Sequence, residues 1–221
     1  ETTNGTNDYW DISGAYPFVY SPEGTEDHPA RITSLADLIS LSGTSADWGK
    51  YFIQTADIDA SSTSALNSGA GFLPIGSVSP YFTGAYNGLG YTIDALFINR
   101  PSTTYVGLFG YTNVATIKNL GMTNVDITGQ YYVGGLGGWT ANSIISNCYS
   151  SGTVDGTNYI GGLIGVTRYA CTVSNSYSAA DVSGTSAIGG FLGTLFYSTT
   201  TTLTHCYSSG AVVFSASGGG F

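Results

Sequence analysis

A chain of 221 residues, 42% of them hydrophobic, is long enough to bury one sizeable core, and its even composition argues for a single elongated domain rather than two. Only 9% of residues are charged, with 5 Lys plus Arg against 14 Asp plus Glu and a formal net charge of −9, so the basic footprint needed to neutralise phosphates cannot assemble. Nucleic acid and anionic membrane surfaces are therefore not expected partners, and no run approaches the roughly 20 apolar residues of a membrane-spanning segment.

Residues 1–30, with Pro17, Pro22 and Pro29, read as an extended N-terminal arm, and Asn4-Gly5-Thr6 is a glycan acceptor sequence. The opening ETTNGTNDYW lacks a charged n-region and an apolar h-region, as a processed or trimmed N-terminus would. Residues 31–50 read as a capping region around a short helix: Thr33 or Ser34 is the N-cap, Asp37 lies in the first turn, and Leu35, Leu38 and Ile39 share a face. Such a helix protects the unpaired strand edges at the end of a stacked structure.

From residue 51 to 221 the chain repeats, most clearly over 105–221. Val106-Gly-Leu-Phe-Gly, Val133-Gly-Gly-Leu-Gly-Gly, Ile160-Gly-Gly-Leu-Ile-Gly and Ile188-Gly-Gly-Phe-Leu-Gly begin 27, 27 and 28 residues apart. Ile117-Lys-Asn, Ile145-Ser-Asn-Cys-Tyr, Val173-Ser-Asn-Ser-Tyr and Leu203-Thr-His-Cys-Tyr keep step at 28, 28 and 30. Ile127, Val154, Val182 and Val212 open a third series. Each period of about 28 residues therefore holds three β-prone runs separated by Gly, Asn and Ser. The pattern predicts an all-β fold, a parallel β-helix or solenoid of three-strand coils, right-handed by the crossover rule. Equivalent residues then stack about 4.8 Å apart. Ile117, Ile145, Val173 and Leu203 become one interior column; Leu108, Leu136, Leu163 and Phe191 form a second. Asn119, Asn147 and Asn175 recur where a left-handed residue and an amide ladder fit, with His205 in the last copy. Tyr149, Tyr177 and Tyr207 form an outer ring column. Ser217-Gly-Gly-Gly-Phe221 reads as the start of a further repeat whose edge is open to a neighbour.

These motifs resemble the GLUG repeat of bacterial surface proteins, filamentous-haemagglutinin-like adhesins and the non-catalytic regions of some IgA-cleaving peptidases. Upstream, Tyr51-Phe-Ile-Gln-Thr-Ala-Asp-Ile-Asp59, Phe72-Leu-Pro-Ile-Gly76 and Tyr81-Phe-Thr-Gly-Ala-Tyr-Asn-Gly88 are similar to elements such proteins share, with Asn87 standing where Asp is usual. The resemblance covers roughly 50–221 and implies an architecture more than an activity.

Catalytic chemistry finds little footing. His28 and His205 are the only histidines, one before Pro29 and one in the Asn column, and no HExxH or Cys-x-x-Cys motif occurs. No enzyme activity and no cofactor are expected. Asp57 and Asp59, two apart on one strand face, are the weak candidate for a metal site, against a turn-capping role. Asp126, Asp155, Asp181, Lys118 and Arg168 read as dispersed by register. Cys148 and Cys206 fall two coils apart, beyond disulfide reach, so free thiols are expected. The expected function is a structural or adhesive module, secreted or on a bacterial or archaeal cell surface. Its partners would be copies of itself, neighbouring domains, or a glycan or protein ligand. A carbohydrate-binding or polysaccharide-cleaving β-helix is the alternative.

Overall fold

The computed structural model describes residues 9–11, 18–20, 23–197 and 200–219. It is a parallel β-solenoid whose strands recur about every 28 residues. One coil comprises Thr116–Lys118, Gly121–Thr128, Tyr131–Gly134 and Gly137–Ala141. The next repeats it as Ile144–Ser146, Tyr149–Asp155, Asn158–Gly161 and Ile164–Arg168. Stacking these segments makes sheets of 4, 7 and 11 strands. The Ile117 run makes the 7-stranded sheet, the Ile127 run and the first half of the Gly-Gly run share the 11-stranded sheet, and the second half of the Gly-Gly run makes the 4-stranded sheet. Each of these two coils has four strand segments rather than three, because the Gly-Gly-Leu-x-Gly run bends at its centre and contributes a strand on either side.

The columns expected from spacing are the registers observed. Ile117 pairs with Ile145, Ile145 with Val173, and Val173 with Leu203. Leu108, Leu136, Leu163 and Phe191 are all fully buried, and Ile127, Val154, Val182 and Val212 are successive neighbours. A fully buried aliphatic side chain contributes about 1.5–3 kcal/mol, so each column stabilises every coil it passes through, less in the last one, where Leu203 and Val212 are half-buried. Towards the N-terminus the Ile117 column continues through Tyr86 to Phe52. There the core is aromatic: Phe82 and Tyr86 pack on Phe109 with ring centres 5.0 and 5.7 Å away. The Tyr86 hydroxyl donates to Gln54 Oε1 at 3.0 Å, and Gln54 Nε2 donates to the carbonyls of Ala56 and Thr92, so this buried polar group is satisfied.

Ala30–Ile32 already pairs in parallel with Tyr51–Gln54, so the 7-stranded sheet starts upstream of the helical region rather than after it. Between those strands lies the helix, Leu35–Gly43, with Ser34 as N-cap accepting from Asp37 N–H. Leu38 and Leu41 are buried and Leu35 packs against the core, while Ile39 is 36% exposed. The buried stripe is thus 35, 38, 41, three residues at a time, and Ile39 falls outside the face expected for it. Trp48 Nε1 donates to Leu41 O at 2.8 Å, joining the Thr44 N–H at 3.3 Å on that carbonyl of the last helical turn. Of the arm, residues 9–11, 18–20 and 23–30 are described, Tyr9–Asp11 pairing antiparallel with Phe18–Tyr20, and Asn4-Gly5-Thr6 lies outside the described residues. At the other end, Val212–Gly219 pairs with Tyr177–Gly189, with register irregularities on either side of Ser186, and Gly219 faces Gly189. No helix among the described residues is long and apolar enough to cross a membrane.

Candidate binding surface

The signature glycines have one physical reason in common. A Cβ on Gly138 would lie 2.6 Å from Tyr132 O and from Val106 N, and one on Gly165 would lie 2.6 Å from Gly138 O and Val133 N. Gly193 and Gly110 meet backbone atoms just as closely. On either side of the bend, therefore, the two strands of a coil pack backbone against backbone, which no side chain permits. Tyr132 and Trp139 stand on these two strands, and their rings meet edge to face at 4.9 Å.

That contact seeds a second hydrophobic cluster, separate from the columns of the interior. Trp139, Ala141 and Val166 are buried in it, with Tyr105, Tyr111, Tyr132, Tyr159 and Phe196 packed around them. Tyr105, Tyr132 and Tyr159 stack at 5.2 and 5.1 Å with planes 20° and 18° apart. All three have left-handed backbone, φ 66°, 57° and 63°, with Ala187 next in the series at 56°. Their spacing of 27 residues, immediately before each Val-Gly or Ile-Gly, was the signal for this column in the sequence. Burial pushes the Tyr111 and Tyr132 hydroxyls above their usual range, and at Tyr111 the nearby Arg168 charge pulls partly back. The Arg168 guanidinium carbon sits 4.4 Å from the Tyr169 ring centre, 5.3 Å from Tyr197 and 5.6 Å from Trp139.

The other expected positions are placed as follows. Tyr149, Tyr177 and Tyr207 form a near-parallel stack at 5.0 and 5.1 Å, planes 2° and 5° apart, and the Tyr149 ring leans over Gly121, which has no side chain to obstruct it. Ring faces inside this stack are covered by their neighbours; edges and hydroxyls remain. Asn119, Asn147 and Asn175 are left-handed at φ 56°, 53° and 49°, with His205 at 53°. Asn147 Nδ2 donates to Asn119 Oδ1, and Asn119 Nδ2 to Asn87 Oδ1, each at 2.9 Å, so the ladder reaches back to Asn87. His28 precedes one terminal strand of the 7-stranded sheet and His205 follows the strand at its opposite edge, so the fold does not bring them together.

Asp57 Oδ1 accepts from the N–H and hydroxyl of Thr92 at 2.8 and 3.0 Å, and Asp59 Oδ1 accepts from Ser61 N–H at 2.9 Å. The Ser61 hydroxyl and backbone N–H hold the Asp59 carboxyl below the usual range. Both carboxylates thus serve turns and coil junctions, and among the described residues no group of three or more His, Cys, Asp or Glu is placed to hold a metal. Asp126 and Asp181 share a column through Thr153, with Asp155 two residues along from Thr153, so these three carboxylates lie on one sheet face, closer together than their sequence positions imply. Asp155 accepts from Ser183 Oγ and Asp181 from Ala211 N–H, each reaching the following coil. Cys148, Cys171 and Cys206 are free thiols. Burial raises all three, Cys148 to about 12. Cys148 and Cys206 occupy the register held by Ser176, whose hydroxyl bonds back to Ser174 O at 2.8 Å and accepts from Cys148 N–H at 3.1 Å.

Residues 129–155 match the family model described as the GLUG motif. Over 155 residues, or 67% of its length, the chain is 41% identical to halomucin of Haloquadratum walsbyi, of which it spans 2%. It is 35% identical over 123 residues, 55% of its length, to a provisionally described Gly-rich membrane protein of Evansella cellulosilytica, spanning 14% of that protein. A solved structure from Bacteroides ovatus, provisionally described as an immunoglobulin A1 protease, superposes with a TM-score of 0.42 at 16% identity, covering 89% of this chain and 86% of that one.

Proposed function

We propose that this chain, which carries the GLUG motif, is a non-catalytic structural module on the outside of a bacterial or archaeal cell: a stiff solenoid segment that spaces or displays other parts of a longer protein. The observation that carries this reading is the vertical register of Ile117, Ile145, Val173 and Leu203 and of the Asn and Tyr columns beside them. Side chains at these positions spend their contacts on copies of themselves one coil away, which stiffens a rod and leaves no cleft between domains. Two relatives support the setting, because the segment recurs as a small fraction of much longer chains, one of them described as a membrane protein. Surface-specific biotinylation of intact native cells, with an antibody against this segment, tests the location: labelling before lysis is expected, and labelling only after lysis refutes it. Adhesion and end-to-end assembly are further parts of the proposal, and electron micrographs of native material are expected to show filaments or tethered rods rather than dispersed particles. Polysaccharide cleavage is the competing reading, favoured by the shared face of Asp126, Asp155 and Asp181. A reducing-sugar assay on acidic and neutral polysaccharides separates the two, since a scaffold releases no ends.

A further inference from the structure

Arg168 is the one basic side chain in the second aromatic cluster, and its situation is unusual for a guanidinium. Its Nε is buried without a hydrogen-bond partner, and the ion pair Lys50–Asp47 is the only one among the described residues, so no described carboxylate lies within 4 Å of Arg168. The rings of Trp139, Tyr169 and Tyr197 surround it. Rings attract a cation through their faces but offer no acceptor for its N–H donors. In a chain of net charge −9, an arginine without a partner cannot be attributed to a shortage of carboxylates. The register explains why none of them arrives: Arg168 shares its column with Asn113, Ala141 and Phe196, whereas Asp126, Asp155 and Asp181 belong to another sheet.

We infer that Arg168, walled by Tyr169, Tyr197 and Trp139, is a binding site for a carboxylated sugar. The guanidinium supplies paired donors for a carboxylate, and the tyrosine rings, 42% and 78% exposed, supply apolar surface for the C–H face of a pyranose and hydroxyls for its rim. Electrostatics narrows the class. One cation on a strongly acidic chain tolerates a single negative charge and repels a polyphosphate, and a bare carboxylate would leave the tyrosine faces unused. Arg168 and Tyr169 close one coil, Phe196 and Tyr197 the next, so the site belongs to this pair of coils and is not repeated along the rod. The scaffold function stands without it, because rod shape does not depend on a ligand.

Nuclear magnetic resonance of the whole chain tests the assignment, following the Arg168 Nε–H and Trp139 indole N–H signals on addition of D-glucuronate, its methyl ester, D-glucose or acetate. Saturable shifts with glucuronate are expected, with binding at least roughly 10-fold weaker for the other three, as loss of a charge-assisted hydrogen bond or of ring contact implies. Arg168→Gln is expected to lose the glucuronate response while circular dichroism keeps the β signal. The inference is overturned if glucuronate gives no shift, if its methyl ester or acetate binds equally well, or if R168Q retains wild-type affinity. Those ligand comparisons on the unmodified chain decide the matter even if the variant fails to fold. X-ray scattering, unchanged by any sugar, reports separately on the rod.

Discussion

Gly165 shows how much structure one missing methyl group can carry. Its ideal Cβ position is 2.6 Å from two backbone atoms that belong to paired strands and cannot yield singly. Gly165→Ala is therefore expected to cost at least the roughly 1–3 kcal/mol of an overpacked core, read as a lower urea midpoint. Gly43→Ala is the control: nothing lies within 4 Å of its Cβ, and stability should hold or rise slightly. Asp37 is a second single-residue case. Its carboxylate accepts from Thr33 N–H, Thr33 Oγ1 and Ser34 Oγ at 2.9, 2.7 and 3.0 Å, and these bonds, the Thr33 hydroxyl first, hold it below the usual aspartate range. A lowered carboxyl stabilises above its unfolded pKa and loses that contribution as pH falls through the folded one. The melting difference between wild type and Asp37→Asn should be full at neutral pH and shrink on acidification below the ordinary aspartate range. Ser34→Ala should cost about 1 kcal/mol at any pH where the helix is folded.

At the scale of the element, the ladder is the unit. Tyr177 stacks on Tyr149 and on Tyr207, so Tyr177→Ala removes two ring contacts, each contributing about 0.5–1.5 kcal/mol beyond burial. A double-mutant cycle with Tyr149→Ala is expected to show coupling, and one pairing Tyr177→Ala with Tyr51→Ala, outside the column, additivity. What the sequence made legible here follows from repetition. Asn119, Asn147 and Asn175 announce a left-handed corner because only a few residue types accept it, and Ile145 over Val173 follows from a spacing of 28. Tyr105, Tyr132 and Tyr159 occupy the same backbone region, which tyrosine does not mark, so their spacing of 27 gives the column but only the strand contact at Gly110, Gly138 and Gly165 gives the cluster it joins. Ile39 was misplaced because a helix of nine residues offers several apolar stripes, and only the neighbouring strand decides which one is buried. Arg168 was legible least of all. A residue that occurs once in a repeat gives no periodic signal, and its surroundings come from three separate segments.

For the molecule as a whole, the repeat makes length a variable that can be changed without changing the fold. Excising residues 145–172 removes one complete coil and places Val173 over Ile117, with Ser176 following Leu120 in the register that Cys148 held. That variant should fold cooperatively, lose about 4.8 Å of rod length by X-ray scattering, and show a proportionally smaller urea m-value. Excising half as many residues should abolish folding, because every column would then meet the wrong face.

The direction of the backbone bonds has a mechanical corollary. Inter-coil N–H to carbonyl contacts, such as Leu136 to Leu163 and Leu163 to Phe191, run lengthwise through the stack. A pull on the two ends of the chain loads them one rung at a time, so the protein should peel rather than shear. Under optical tweezers the extension trace is expected to rise in low-force steps of about 95 Å, the contour of some 28 extended residues. A single high-force rupture would mean that the rungs share the load instead.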